Sequence, residues 1–134
     1  MSMFNILGVS GSAVSAQAQR LNVVASNLAN ADAVAGPDGK SYKARQVLFQ
    51  TLPGKDAGTT GVKVRQIAES DAPARRTHEP HHPSADADGY VTHSNVNPVE
   101  EMVNMISASR SYQNNVEVMN TAKSLMLKTL QMGQ

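Results

Sequence analysis

The sequence predicts an α+β chain: long N- and C-terminal α-helices paired as a coiled-coil-like hairpin, with a small β-rich, irregular insert between them. Three observations carry this. Leu7, Val14, Leu21 and Leu28 fall seven apart near the start. Near the end, Met102, Met105, Ser109, Tyr112, Val116, Met119, Lys123, Met126 and Leu130 alternate steps of three and four. Such spacing keeps side chains on one face of a helix that wraps another helix. Between the two stripes the periodicity stops, and Gly, Pro, Asp and Ser punctuate the chain.

The first element, residues 1–30, is the N-terminal helix of the helical core. Its other seam positions are Phe4, Gly11, Ala18 and Ala25, which are mostly small and admit a close partner backbone. Its opposite face carries Asn, Ser and Gln, with Arg20 the only charge before Asp32. A solvated helix normally carries Glu/Lys pairs there. An uncharged polar face is buried without desolvating ions, so this helix is expected to be covered on more than one side.

Residues 31–97 form the small β-rich middle domain. Turn signals stand at 36–41 and 52–61, and strand-like runs at Tyr42–Leu52, Gly61–Ile67 and Gly89–Thr92. Its large apolar residues are few, which gives marginal stability alone. Parts of 50–60 and 70–88 are expected to be mobile until packed against another surface.

Residues 98–134 are the C-terminal helix of the core. Pro98 sits at a favoured first-turn position, Asn97 is the expected cap, and Glu100 and Glu101 suit the positive end of the helix dipole. Gly133 marks the end. The two periodic segments span about 37 Å and about 50 Å at 1.5 Å per residue, so one overhangs the other unless part of it pairs with another subunit.

Composition narrows the function classes. The chain has 134 residues, a formal net charge of +1, four His, no Cys and no Trp. It offers no thiolate ligand or thiol nucleophile, and its mixed charges exert no strong pull on nucleic acid or anionic lipid. No segment is apolar enough to span a bilayer, and the N-terminus lacks the pattern of a cleaved secretory signal.

The motifs that could carry chemistry fall short. His78, His81 and His82 could ligate zinc or copper, but the prolines of HEPHHP oppose a convergent ligand set, so a solvated loop is the preferred reading. A small His-loop metal protein remains the rival. Asp86-Ala-Asp88-Gly89 lacks the further oxygens of a calcium loop. Gly36–Ser41 has two residues between its glycines where a phosphate loop needs four. Gly8–Ser12 misses the nucleophile elbow. No catalytic, cofactor or metal residue is assigned, and the chain is expected not to be an enzyme.

Three stretches together resemble one family: SGSAVSAQAQRLNVVASNLANAD at 10–32, EPHHPSADADGYV at 79–91, and the run from Ser94 to Leu130. The first resembles the N-terminal signature of the rod, hook and related axial proteins of the bacterial flagellum, carried by Gln19, Leu21, Val24, Ser26, Asn27, Leu28, Ala29 and Asn30. The other two, with the short length, are similar to the proximal rod proteins. Ala33 departs from the pattern, where Thr is frequent, and residues 50–75 carry no signature.

The resemblance implies a structural subunit of the basal-body rod, exported by the flagellar type III apparatus without signal cleavage. It implies copies of itself and other rod proteins as partners, in a hollow shaft through the periplasm that transmits torque. It also implies that the histidine segment is a structural turn. Expected subunit contacts are Leu7, Val14, Ala18, Leu21, Ala25 and Leu28 on the first helix, and Met102, Ile106, Val116, Met119, Met126 and Leu130 on the second. Asn27 and Asn30 are expected to satisfy backbone groups at the helix exit. A helical-hairpin adaptor with a single partner is the second rival.

Overall fold

The computed structural model describes residues 3–133. Helix α1 runs Met3–Ala29. It is followed by strands β1 (Arg45–Pro53), β2 (Thr60–Glu69), β3 (Arg76–His78) and β4 (Tyr90–Thr92), then helix α2 (Pro98–Met132). The two long terminal helices and the small strand insert realise the α+β class. α2 starts as its sequence dictates: the Asn97 side chain accepts from the amides of Val99 and Glu100, with Pro98 in the first turn. At its far end the Gly133 amide donates to the Thr129 carbonyl at 3.1 Å.

The helices pack antiparallel. Asn27 of α1 hydrogen-bonds Glu101 of α2, while Gly11 lies against the Met119 side chain. Residue numbers facing each other therefore sum to about the same value along the pair. Buried Ala108 and Ala122 on α2 let the backbones approach closely.

The seam of α2 differs from the expected one. Glu101, Ala108 and Ala122 are buried, and Met105, Tyr112, Asn115, Met119 and Met126 are half-buried. The predicted stripe shares Met105, Ser109, Tyr112, Val116, Met119 and Met126 with the seam, while Met102, Lys123 and Leu130 fall outside it. Met102 and Lys123 are exposed, whereas Glu101 and Ala122 are not. Counting large apolar residues favoured Met102; the small Ala residues and a hydrogen-bonded Glu take the seam instead. On α1, Phe4 and Ala25 also point out of the seam.

β1 and β2 form a two-stranded antiparallel hairpin with a bulge between Leu48 and Phe49. The hairpin lies lengthwise along α1 and is pinned at three levels. At its tip, Asn5 Nδ2 donates to Asp56 Oδ2 at 2.6 Å. At mid-length, Ser12 Oγ accepts from the Val62 amide at 3.1 Å. At its base, Asn27 holds Arg45. The middle contact needs Gly61, because a Cβ there would stand 2.7 Å from Ser12 Oγ. Thus α1 is covered on two sides, by α2 and by the hairpin.

β3 and β4 pair antiparallel, Thr77 opposite Val91. Residues 79–90 form a bonded turn between them. The Glu79 amide donates to the Gly89 carbonyl, and the Asp86 amide to the Tyr90 carbonyl. A small cluster of Ala31, Ala44 and Val96, with Tyr42 against it, joins the insert to the helices. Asn95 completes that joint: its Oδ1 accepts from the Ala44 amide at 2.6 Å, and its Nδ2 donates to the carbonyls of Ser70 and Ala72.

Candidate functional site: a polar junction and outward apolar faces

Asn27 is fully buried. Its Nδ2 donates to the Arg45 carbonyl at 2.8 Å and to Glu101 Oε2 at 3.1 Å. Its Oδ1 accepts from the Tyr42 hydroxyl and the Arg45 amide, both at 2.9 Å. One amide side chain thereby makes four hydrogen bonds to three residues, its full capacity. Burial is the main cause that raises the Tyr42 phenol above its ordinary pKa. Asn30 acts locally: its Nδ2 donates to the Ser26 carbonyl at 2.9 Å within the helix exit.

The histidine segment is built into the β3–β4 turn. The His78 ring meets the Tyr90 ring edge-on, with centroids 4.9 Å apart. Arg76 lies over the same Tyr90 ring and pairs with Asp86 at 2.8 Å. His82 Nδ1 accepts from the Ser84 amide. Asp86 Oδ1 accepts from the amides of Asp88 and Tyr90. The Tyr90 amide bond is the leading cause that holds this carboxyl below its ordinary pKa. Gly89 closes the turn at φ +83°, with His78 and Pro80 packed where a Cβ would stand. Among the described residues, no group of three or more His, Cys, Asp or Glu side chains is placed to hold a metal ion.

The distribution of apolar side chains is inverted relative to a monomeric domain. The buried hydrophobic residues are all Ala or Val. Meanwhile Val99, Met102, Val103 and Ile106 at the start of α2 are 56–70% exposed, and Leu127, Leu130 and Met132 at its end are 51–87% exposed. Leu48, Phe49, Leu52 and Ile67 on the hairpin are 38–49% exposed. Scattered exposed leucines are ordinary, but contiguous apolar patches mark contact surfaces. On α1 the outward stripe is Phe4, Gly8, Ser15, Gln19, Asn22, Ser26 and Ala29, without a charge.

The residues singled out from the sequence divide between inside and outside. Leu7, Val14, Ala18, Leu21 and Leu28 are half-buried on α1, and Val116, Met119 and Met126 half-buried on α2. Ala25, Met102, Ile106 and Leu130 face solvent. The sequence reading did not assign Val99, Val103 or the hairpin's Phe49 as contacts. Their signal was present, as large apolar residues that the helix seam and the hairpin contact do not use.

Residues 7–37 match the family described as flagella basal body rod protein. Residues 87–132 match flagellar basal body rod FlgEFG protein C-terminal. Flagellar basal-body rod protein FlgC of Escherichia coli O157:H7 is 60% identical over 134 residues, covering all of both chains. This chain belongs to the FlgC family of flagellar basal-body rod proteins. FlgC of Salmonella typhimurium is 58% identical over both full lengths, and FlgC of Buchnera aphidicola from Acyrthosiphon pisum is 46% identical over both full lengths. The two family matches fall on α1 with its exit and on β4 with α2. The hairpin lies between them, where the full-length FlgC relatives also align. FlgC proteins are structural components of the rod, which agrees with a surface organised for contact. No described helix is long and apolar enough to cross a membrane.

Proposed function

We propose that this FlgC-family chain assembles helically, with copies of itself and with other rod proteins, into the hollow shaft that carries torque through the periplasm. Residues 1–30 and 98–134 act as its helical core and 31–97 as an outer domain. Export runs through the flagellar type III apparatus without signal cleavage. The observation that supports this best is the inverted apolar distribution. Among the described residues the largest fully buried side chain is Val91, while fifteen large apolar side chains are exposed. A chain built this way gains most of its apolar burial from neighbours, at about 25 cal/mol per Å².

The contact set we assign comprises Leu7, Val14, Ala18, Leu21, Ala25 and Leu28 with Met102, Ile106, Val116, Met119, Met126 and Leu130. The exposed members meet neighbours directly, and the half-buried ones shape the helix pair that presents them. Deleting the gene and imaging basal bodies by electron microscopy tests the proposal. Truncated or absent rods, restored by the parent gene, are expected. Complete rods in the deletion strain would refute a rod role.

A further inference from the structure

The seam of α2 repeats itself every seven residues. Met105, Tyr112, Met119 and Met126 stand seven apart, and so do Ala108, Asn115 and Ala122; all are buried or half-buried. Sliding α2 by one heptad, about 10.5 Å at 1.5 Å per residue, therefore brings a seam residue to nearly every seam place. Gly11, which now lies against Met119, would face Met126, and Asn27 would face Ala108. α2 is long enough for this, since Met3 would then fall opposite a position near Gly133. The opposite slide fails, because it sets Asn27 against residue 94, ahead of the helix start at Pro98. The apolar and small side chains of the pair thus allow two registers.

The polar groups allow one. Glu101 heads the second series and is the one ionisable side chain buried among the described residues. Its Oε2 accepts from Asn27 Nδ2 at 3.1 Å. The other three bonds of Asn27 go to Tyr42 and Arg45, so Glu101 is its sole bonded partner on α2. Seven residues before Glu101, Ser94 is also buried, and its Oγ donates to the Ala31 carbonyl at 2.7 Å. A slide by one heptad breaks both bonds and offers Asn27 only the methyl group of Ala108. We propose that Glu101, with Ser94 behind it, is the register-determining residue of the helix pair, selecting one of the two alignments that the seam permits. A single buried polar group has this effect in coiled coils, at a cost in stability. The register in turn decides how far α2 runs past each end of α1, and so where Met102, Ile106 and Leu130 are presented. The inference concerns the chain by itself, and its failure leaves the rod assignment untouched.

The chain lacks cysteine, so engineered disulfides report the register. Gly11→Cys/Met119→Cys reads the observed alignment and Gly11→Cys/Met126→Cys the shifted one. A displacement of one heptad exceeds the roughly 7 Å between Cα atoms that a disulfide tolerates. Purified full-length protein is oxidised at low concentration, and intramolecular disulfide is measured by mass spectrometry. In the parent background the first pair is expected to close at least tenfold more than the second. In the Glu101→Leu/Ser94→Ala background the second pair should rise at least fivefold. Glu101→Gln keeps an acceptor for Asn27 and should keep the parent pattern. A parent pattern in the double variant overturns the proposal, as does a rise with Glu101→Gln equal to that of the double variant. Should the double variant lose its helical circular dichroism, Glu101→Ala is read in its place, and an unchanged yield of the second pair overturns the proposal.

Discussion

Two residues set more of this structure than their size implies. Asn27 exits the helix seam buried, and its amide alone meets Arg45, Tyr42 and Glu101. Asn27→Ala leaves buried donors and acceptors unmatched, and we expect a loss of about 2–4 kcal/mol in unfolding free energy. Asn27→Asp keeps the acceptor but sets a carboxylate against Glu101. Its loss is expected to be larger at neutral pH than in mild acid, where one carboxyl takes a proton; chemical denaturation at the two pH values checks both variants. Asp86 works in the turn. Its folded pKa lies below the ordinary value, chiefly through the Tyr90 amide. The ionised form is thus favoured by folding: its contribution is complete above the unfolded pKa and fades as pH falls through the folded one. On acid titration, the Asp88 and Tyr90 amide resonances are expected to move together at a midpoint below that of an unperturbed Asp, and Asp86→Asn should remove that transition.

At the scale of elements, α2 shows what periodicity reveals and what it conceals. Both helices were legible, because their stripes, cap and first-turn acids are local signals. The seam was half legible. Met105, Ser109, Tyr112, Val116, Met119 and Met126 lie in it as expected, whereas Glu101 and Ala122 are buried where Met102 and Lys123 were expected. Hydrophobicity points to burial, and here much of the large apolar surface is kept on the outside. Two strand-like runs announced β1 and β2, but not that the hairpin lies along α1, since that depends on Ser12, Gly61 and Asn27 meeting across long sequence separations. β3 is three residues long, too short for an alternating pattern, and only the bonded turn to β4 defines it. Of the residues proposed as subunit contacts, Ala25, Met102, Ile106 and Leu130 stand outside, while the others are half-buried. Ala108 gives the test at this scale. It is fully buried in the seam, so Ala108→Leu must separate the helices, and we expect a loss of about 1–3 kcal/mol in thermal or denaturant unfolding.

The whole molecule is a narrow pair of helices with a hairpin on one side, and it has no dry core of Leu, Ile or Phe among the described residues. Its own contacts hold the pair together through alanines, valines and a few buried polar groups. Such a chain is expected to gain stability by mass action when it associates. Circular dichroism should therefore show a melting temperature that rises with protein concentration; an unfolding curve independent of concentration would indicate a self-sufficient monomer. The claim that unites these scales is that the outward apolar face of α2 exists for assembly and not for folding. Met102 and Ile106 are both more than half exposed, so replacing them together by Asp should leave folding nearly unchanged. The most direct measurement is rod formation by the Met102→Asp/Ile106→Asp variant in a strain lacking the native copy, with denaturant unfolding of the purified variant beside it. The account predicts unfolding within about 1 kcal/mol of the parent, together with non-motile cells and missing rods. Motile cells with complete rods would contradict it.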